Sequence, residues 1–434
     1  MPLPELIEIV PLAAPSPAEI TIPGSKSITN RALVLAALAD GETTLHGALW
    51  SEDTEAMVDC LRRLGFEVDV VPEAEEPANR TMRIRGLGGR IPRGGTPVTP
   101  LELFVGNAGT AARFLTAMVC LGDGVYRLTG VPRMHERPQA ALLAALRQLG
   151  YRIDAEGDRL PAVVHGGGRR PGPVEVSVEE SSQFASALLL SAAVGGWTVG
   201  VTGANDDELP YVEMTRRLVA AFPRDGGAFQ VEPDASSGSY FWAVNALWPD
   251  LAAVKVRNWP ASGWQIDADF PVLMPHAGEP ASATTSRKTD LGDAIMTAIV
   301  VAPLATSPAA FTHLGVLRRQ ECERVAALKH ELQRCGAQVQ ERGDTLEISP
   351  SRLHGAIINT YHDHRMAMCF ATLGLKVPGM RLYDPSCVKK TFPDFFQKLA
   401  AQPPHGLGAE IWECSTIDGR RVRRLTELPD LFAA

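Results

Sequence analysis

Cations recur where the sequence predicts that helices begin. The stretch "TIPGSKSITNRALVLAALA", from Thr21, sets Lys26 and Ser27 after a glycine and before an apolar helical run. Free backbone N–H groups and the helix dipole favour an anion at such a start. The other cations of this kind are Arg31, Arg113, Arg137, Arg324, Arg365 and Lys390. Guanidinium groups suit phosphate and carboxylate, so the pattern predicts a small anionic ligand, although each arginine taken alone is also typical of a solvated surface.

Motifs of other chemistries do not occur in this sequence. "PGSKS" lacks the upstream glycine of a nucleotide-binding P-loop, no G-x-G-x-x-G opens a strand-helix unit, and H-E-x-x-H is missing. The two histidines of "HDHR" are two residues apart, so on a helix they face different ways. We therefore expect no metal and no organic cofactor.

Composition indicates a globular protein of two domains. The chain has 434 residues, of which 45% are hydrophobic and 21% charged, and no apolar run is long enough to span a membrane. Its first residues do not resemble a secretory signal, and its seven cysteines are scattered without a C-x-x-C pair. A net charge of −8 argues against nucleic acid. We expect a cytoplasmic monomer that acts on small molecules without membrane or nucleic-acid partners.

Six segments share one design, a small polar opening followed by an Ala/Leu/Val-rich helical run. They start at Ser25, Asn107, Ser181, Asp234, Leu291 and His362. Short strands and a second, amphipathic helix follow most of them, which predicts an internal α-β-α-β repeat, three copies in each half. The fourth copy is degenerate, since "DADFPVLMPHAG" is a poor helix. Three parallel buried helices in each half would gather their N-termini on one face, the predicted active site, although any one of them alone could be an ordinary capped core helix.

The motifs together resemble a known family. The segments "PGSKSITNRALVLAALA", "LFVGNAGTAARF", "PRMHERP", "ESSQFASALL", "PDASSGSYF", "GDAIMT", "RQECERVAAL", "DHRMAM" and "KKTFPDFF" occur in order between about 20 and 399. In this they resemble 5-enolpyruvylshikimate-3-phosphate synthases. The resemblance implies transfer of the enolpyruvyl group of phosphoenolpyruvate to the 5-hydroxyl of shikimate 3-phosphate with release of phosphate, a step toward chorismate and the aromatic amino acids.

The resemblance also implies the architecture. It is an α/β fold of two domains, each with three βαβαββ repeats around buried parallel helices, an inside-out α/β barrel. The expected N-terminal domain spans 24–233, and the C-terminal domain combines 1–23 with 234–400. Residues 401–434 continue beyond the expected fold and have no assigned role.

The site residues follow from the matched motifs. Shikimate-side binding is expected from Lys26, Ser27, Arg31, Ser181, Ser182, Gln183, Tyr211 and Asp293. Phosphoenolpyruvate binding is expected from Lys26, Gly109, Thr110, Arg137, Gln183, Arg324, Arg365 and Lys390. The expected catalytic residues are Lys26, Asp293, Glu321 and Lys390. Asp293 would deprotonate the 5-hydroxyl, and Glu321 with Lys26 or Lys390 would move the proton at the methylene carbon; a helix cap is the alternative role for Asp293.

Several positions depart from the family pattern. Glu208 stands where a serine is usual, and Val316 and Gln320 stand where an asparagine and a lysine are expected. These changes weaken the expected pocket for the acceptor phosphate, unless Arg318 or Arg319 substitutes. The alternatives are therefore an unphosphorylated shikimate-like acceptor, an elimination on such a ring, or a catalytically silent binding protein. Phe114 replaces a usual proline, whereas the Ala108–Gly109 pair that would admit the inhibitor glyphosate is retained.

Overall fold

The chain forms two compact units. The computed structural model describes residues 3–203, 209–251, 253–426 and 428–433. The N-terminal unit is Gly24–Glu232, and the C-terminal unit combines Met1–Pro23 with Pro233–Ala434. The chain therefore passes between units twice, after Pro23 and after Glu232. No helix within the described ranges is long and apolar enough to cross a membrane.

Helices and strands alternate along both units. The helices are α1 (Lys26–Leu38), α2 (Glu52–Arg63), α3 (Gly109–Val119), α4 (Pro132–Glu136), α5 (Ala140–Gln148), α6 (Gln183–Gly195), α7 (Leu209–Ala221), α8 (Ala235–Leu247), α9 (Phe270–Leu273), α10 (Ile295–Val301), α11 (Arg324–Arg334), α12 (His364–Gly374) and α13 (Phe395–Ala400). The strands are β1 (Leu6–Ile9), β2 (Ala18–Ile20), β3 (Asp40–Leu49), β4 (Val68–Pro72), β5 (Asn79–Leu87), β6 (Leu101–Phe104), β7 (Val125–Thr129), β8 (Arg152–Ala155), β9 (Ala162–His165), β10 (Gly172–Ser177), β11 (Trp197–Thr202), β12 (Gly227–Gln230), β13 (Val254–Val256), β14 (Thr284–Ser286), β15 (Ala309–Thr312), β16 (Gln338–Arg342), β17 (Thr345–Ser349), β18 (Ile357–Asn359), β19 (Met380–Tyr383), β20 (Ile411–Cys414) and β21 (Arg421–Arg424).

Three helices form the interior of the N-terminal unit. α1, α3 and α6 pack against one another, and every residue of α3 is buried. Such helices need apolar or small side chains on all faces, which explains their Ala/Leu-rich sequences. The surrounding sheets have the strand orders β12-β3-β5-β4, β6-β7-β9-β8 and β10-β11.

The C-terminal unit repeats this plan with α8, α10 and α12, which also pack pairwise. Its sheets have the orders β14-β15-β17-β16, β13-β2 and β18-β19-β1-β20-β21. The degenerate copy is reduced to a 3-10 turn, Ile266–Asp269, and the single turn of α9. Met274 ends α9 in an extended conformation because the next residue is Pro275, which disfavours a helical conformation at the residue before it.

The residues beyond 400 pack as an extension of a sheet. β20 pairs antiparallel with β1, matching Ile7 to Glu413 and Ile9 to Ile411. Between these pairs Glu8 is 5% exposed and accepts hydrogen bonds from Arg421 Nε at 3.1 Å and Nη2 at 2.9 Å. The C-terminal extension thus adds strands to the sheet next to β1.

Candidate active site

The first helix opens on a buried ion pair. Lys26 Nζ lies 3.0 Å from Asp53 Oδ2, with the lysine side chain 17% and the aspartate 5% exposed. Asp53 lies in the first turn of α2, so this pair joins the starts of two consecutive helices. The neighbouring Ser27 offers its carbonyl oxygen to Arg31 Nη1 at 2.8 Å. Lys26 is therefore held close to the N-terminal amides of α1.

Arg31 is a core residue of the N-terminal unit and is 1% exposed. Its Nε donates to Thr215 Oγ1 at 2.7 Å, and its Nη2 donates to Ser186 Oγ at 3.1 Å. The guanidinium also lies 5.2 Å from the ring centre of Phe114, a cation–π contact that accounts for the phenylalanine at this position. The Thr215 hydroxyl in turn donates to the Tyr211 carbonyl at 2.8 Å. The alternative of a solvated surface arginine is wrong here.

The second buried helix begins at a glycine that two guanidinium groups crowd. A Cβ on Gly109 would lie 2.5 Å from Arg113 Nη1 and 2.7 Å from Arg137 Nη2. Because such distances are shorter than van der Waals contact, a side chain here would displace both arginines. Arg137 Nη1 donates to the Asn107 carbonyl at 3.0 Å, and Thr110 Oγ1 accepts from Asn30 Nδ2 at 2.7 Å, which ties α3 to α1.

The third buried helix connects to one of these arginines. Arg113 Nη1 donates to Gln183 Oε1 at 2.7 Å, at the first residue of α6. Ser181 Oγ accepts from the Gln183 amide at 3.2 Å, and Ser182 is buried beside it. The structure thus brings residues from three helix starts into one linked set, which we call the N-terminal cluster. Its members are Lys26, Ser27, Arg31, Gly109, Thr110, Arg113, Arg137, Ser181, Ser182 and Gln183.

In the C-terminal unit Asp293 is surrounded by arginines. Its Oδ1 lies 3.3 Å from Arg287 Nη2, and its Oδ2 lies 3.1 Å from Arg365 Nε and 3.7 Å from Arg324 Nη1. Burial acts to raise the pKa of Asp293, but the three guanidinium charges outweigh it and hold the pKa well below its usual range. The N-cap of α10 is Ala294, and among the described residues the Asp293 carboxylate contacts arginines and no helix amide, so Asp293 does not serve as the helix cap.

Glu321 and Lys390 form a second buried pair next to Asp293. Lys390 Nζ lies 3.0 Å from Glu321 Oε1, and Arg324 Nη2 lies 2.9 Å from Glu321 Oε2. Arg324, 1% exposed, also forms a two-pronged pair with Asp363, at 2.7 Å and 3.2 Å. Burial works against the charge of Arg324, yet the surrounding carboxylates raise its pKa. These residues, Asp293, Glu321, Arg324, Asp363, Arg365 and Lys390, are the C-terminal cluster.

The positions that depart from the family pattern were expected at the pocket for the acceptor phosphate. Gln320 accepts a hydrogen bond from Arg324, and Val316 lies in the 3-10 helix Gly315–Arg319. Arg318 is bound by Glu323 at 2.7 Å, Glu341 at 2.8 Å and Asp344 at 3.1 Å, so it is occupied within its own unit. Glu208 lies outside the described residues.

Three partners in these clusters were missed by the sequence analysis. Asp53 is far in sequence from Lys26, whereas Arg287 is only six residues before Asp293, but no recognisable motif indicates either pairing. Asp363 carried a usable signal, since an aspartate before a helical run predicts an N-cap, and its Oδ1 does accept the Arg365 amide at 2.9 Å. Within the part of the chain that the structure describes, no group of three or more His, Cys, Asp or Glu residues is arranged to hold a metal.

Solved structures define the class of this fold. An EPSP synthase from Acinetobacter baumannii superimposes with a TM-score of 0.69 at 21% identity, covering 94% of this chain and 99% of that one. The enolpyruvyl transferase NikO from Streptomyces tendae gives a TM-score of 0.67 at 15% identity, covering 95% and 99%. The fold is therefore that of the enolpyruvyl transferases, which confirms the predicted fold class.

Sequence comparison then identifies the family. The family model described as EPSP synthase (3-phosphoshikimate 1-carboxyvinyltransferase) matches residues 13–224 and 221–399. Proteins named 3-phosphoshikimate 1-carboxyvinyltransferase from Trichormus variabilis and Opitutus terrae are 38% and 39% identical, covering 91% and 92% of this chain and 98% of each relative. The chain belongs to the EPSP synthase family, as its motifs predicted.

Proposed function

We propose that the protein transfers the enolpyruvyl group of phosphoenolpyruvate to the 5-hydroxyl of shikimate 3-phosphate and releases phosphate. Family membership supports this reaction, and the observation that carries it is the C-terminal cluster. There a carboxylate held ionised by three arginines lies next to a buried carboxylate–ammonium pair. Such a site can bind an anion and also accept and deliver protons.

Asp293 acts as the base in this proposal. It takes the proton of the 5-hydroxyl as that oxygen attacks C2 of phosphoenolpyruvate. Its pKa is low while Arg324 and Arg365 face it. Because phosphate and carboxylate groups of phosphoenolpyruvate would occupy the same two guanidiniums, substrate binding would weaken their hold on Asp293 and raise its pKa toward a useful range.

Glu321 and Lys390 transfer the proton at the methylene carbon of phosphoenolpyruvate. One of them protonates the methylene carbon during attack, which gives a tetrahedral ketal that carries the phosphate. Removal of a proton from the resulting methyl group then expels phosphate and forms the enol ether. Their 3.0 Å contact supports transfer between the two groups. Lys26 is the alternative to Lys390 as the partner of Glu321 in this proton transfer.

The N-terminal cluster supplies the remaining binding groups in this proposal. The groups proposed for the shikimate side are Ser27, Arg31, Ser181, Ser182 and Tyr211. Arg31 acts indirectly, because its guanidinium donates a hydrogen bond to the Ser27 carbonyl and so positions Ser27. Gly109, Thr110, Arg137 and Gln183 serve phosphoenolpyruvate. We also propose that the protein is a cytoplasmic monomer. Light scattering of the purified protein tests the monomeric state.

The test is product analysis with the two possible acceptors. Phosphoenolpyruvate is supplied with shikimate 3-phosphate or with shikimate, and free phosphate and the enolpyruvyl ether are measured by colorimetry and NMR. The proposal expects equal amounts of phosphate and ether with the phosphorylated acceptor. The proposal would be overturned by turnover of phosphoenolpyruvate with shikimate but not with shikimate 3-phosphate, or by release of phosphate without formation of the ether.

A further inference from the structure

A buried carboxylate outside both clusters holds the backbone on either side of Asp293. Asp267 lies in the 3-10 turn Ile266–Asp269 and is 3% exposed. Its Oδ1 accepts the Gly292 amide at 2.6 Å, and its Oδ2 accepts the Ala294 amide at 3.2 Å. The two amides belong to the residues on either side of Asp293, so one side chain binds the Leu291–Gly292 and Asp293–Ala294 peptide units.

The same carboxylate also reaches the start of a buried helix. Ser236 Oγ donates to Asp267 Oδ2 at 2.5 Å, from the first turn of α8. Asp267 therefore connects α8 to the loop that leads into α10. A buried carboxylate is costly unless it is hydrogen-bonded, and these three donors balance that cost.

We infer that Asp267 is a positioning residue for the reaction, which orients the Asp293 carboxylate by binding the Gly292 and Ala294 amides. The inference rests on the proposed role of Asp293 as base. The arginines hold the far end of the Asp293 side chain, whereas Asp267 holds the backbone from which it projects. With both ends fixed, the carboxylate has one orientation toward the acceptor hydroxyl.

The protonation state of Asp267 affects this arrangement. Burial raises the pKa of Asp267 to about 6. The negative charge of Asp293 also raises this pKa, whereas the hydrogen bond from Ser236 and the positive charge of Arg365 lower it. When the carboxyl is protonated, one oxygen carries a hydrogen and one of the accepted hydrogen bonds is lost. We therefore expect kcat to fall as the pH drops below about 6.

Asp267→Asn tests the inference, because asparagine keeps the size but offers one acceptor oxygen in place of two. Asp269→Asn, in the same turn and exposed, is the matched control. We expect Asp267→Asn to lower kcat about tenfold or more with little change in either KM, and to remove the acidic limb of the pH profile. Amide hydrogen exchange of residues 286–296 is expected to speed up in this variant and not in the control.

The exchange measurement separates failure of the inference from failure of the proposed reaction. Unchanged exchange at Gly292 and Ala294 would overturn the inference whether or not the wild type turns over. An active wild type whose kcat and pH profile survive Asp267→Asn would overturn it too. If Asp267→Asn does not fold, Ser236→Ala takes its place: a severalfold lower kcat at constant KM supports the inference, and an unchanged kcat contradicts it.

Discussion

Arg365 places its Nε 3.1 Å from Oδ2 of Asp293, so a cation of the predicted phosphoenolpyruvate site binds the predicted base directly. Arg324 approaches the same oxygen at 3.7 Å. Both arginines are thus paired with a carboxylate of the protein itself. In the proposed reaction the carboxylate and phosphate of phosphoenolpyruvate would compete with Asp293 for these arginines and so release the base.

Glu321→Gln tests the proton transfer at the methylene carbon. The substitution keeps the shape of the side chain but removes the charge that Lys390 and Arg324 bind at 3.0 Å and 2.9 Å. We expect kcat to fall by about 10²- to 10⁴-fold, the usual contribution of a general acid or base. Exchange of the methylene hydrogens of phosphoenolpyruvate in D₂O is expected to slow by a similar factor.

Glu341→Gln is the control for this substitution, because Glu341 also binds an arginine and a lysine, Arg318 and Lys329, but lies outside the cluster. It is expected to change kcat by less than about twofold, as for other exposed ion pairs. Normal turnover and normal deuterium exchange in Glu321→Gln would show that Glu321 does not handle the proton.

Gly109→Ala tests the close approach of two guanidinium groups to the start of α3. The new Cβ would lie 2.7 Å from Arg137 Nη2, so the guanidinium must move away from the helix start. We expect the KM for phosphoenolpyruvate to rise on the order of tenfold, about 1.4 kcal/mol, with little change in the KM for the acceptor. Gly172→Ala is the control, since the nearest atom to its Cβ is 4.0 Å away. Equal KM values in the two variants would contradict the proposed role of Gly109.

Arg421→Ala tests whether the C-terminal extension stabilises the fold. It removes the two hydrogen bonds to Glu8 and leaves that buried carboxylate with Arg381 at 3.7 Å. We expect the free energy of unfolding at pH 7 to fall by about 1–3 kcal/mol, measured by urea denaturation. Arg424→Ala in the same strand is the control: its half-exposed side chain lies 3.5 Å from Glu410, and the substitution is expected to cost less than about 1 kcal/mol.

The loss of unfolding free energy in Arg421→Ala is expected to depend on pH. The hydrogen bonds from Arg421 outweigh burial and lower the pKa of Glu8 from its usual 4.5. A lowered folded-state pKa gives stability that is present above the unfolded-state value and is lost as pH falls through the folded-state value. The difference between wild type and variant should therefore be full at pH 7 and shrink below about 4.5. A difference that grows on acidification would contradict this explanation.

Local patterns in the sequence predicted the buried helices and the position of Lys26 at the start of the first one. Arg31, in contrast, lies in the second turn of α1, and Lys390 ends a 3-10 helix. The run after Lys26 and the run after Asn107 carry few charges, and this pattern indicates buried helices. The broken pattern of "DADFPVLMPHAG" likewise predicted the shortened copy at α9. The family resemblance added the residues to which roles could be given.

The partners of those residues depend on tertiary structure. Asp53 and Asp267 each bind a residue from a distant part of the chain. Arg287 binds Asp293 within the loop between β14 and α10, where no helical or strand periodicity applies. The packing of the C-terminal extension against β1 joins the two ends of the chain, and only the sheet register shows it. Arginines such as Arg31 have the same appearance in sequence whether they are buried or solvated.

The most direct test of the account compares wild type with Asp293→Asn in one assay. Phosphate release and enolpyruvyl ether formation are followed with phosphoenolpyruvate and shikimate 3-phosphate, and Asp344→Asn, whose carboxylate is 59% exposed, serves as control. We expect turnover in wild type and control, and a loss of at least about 10²-fold in Asp293→Asn with the fold retained. Wild-type rates in Asp293→Asn would contradict the assignment of the base, and no ether from the wild type would contradict the proposed reaction.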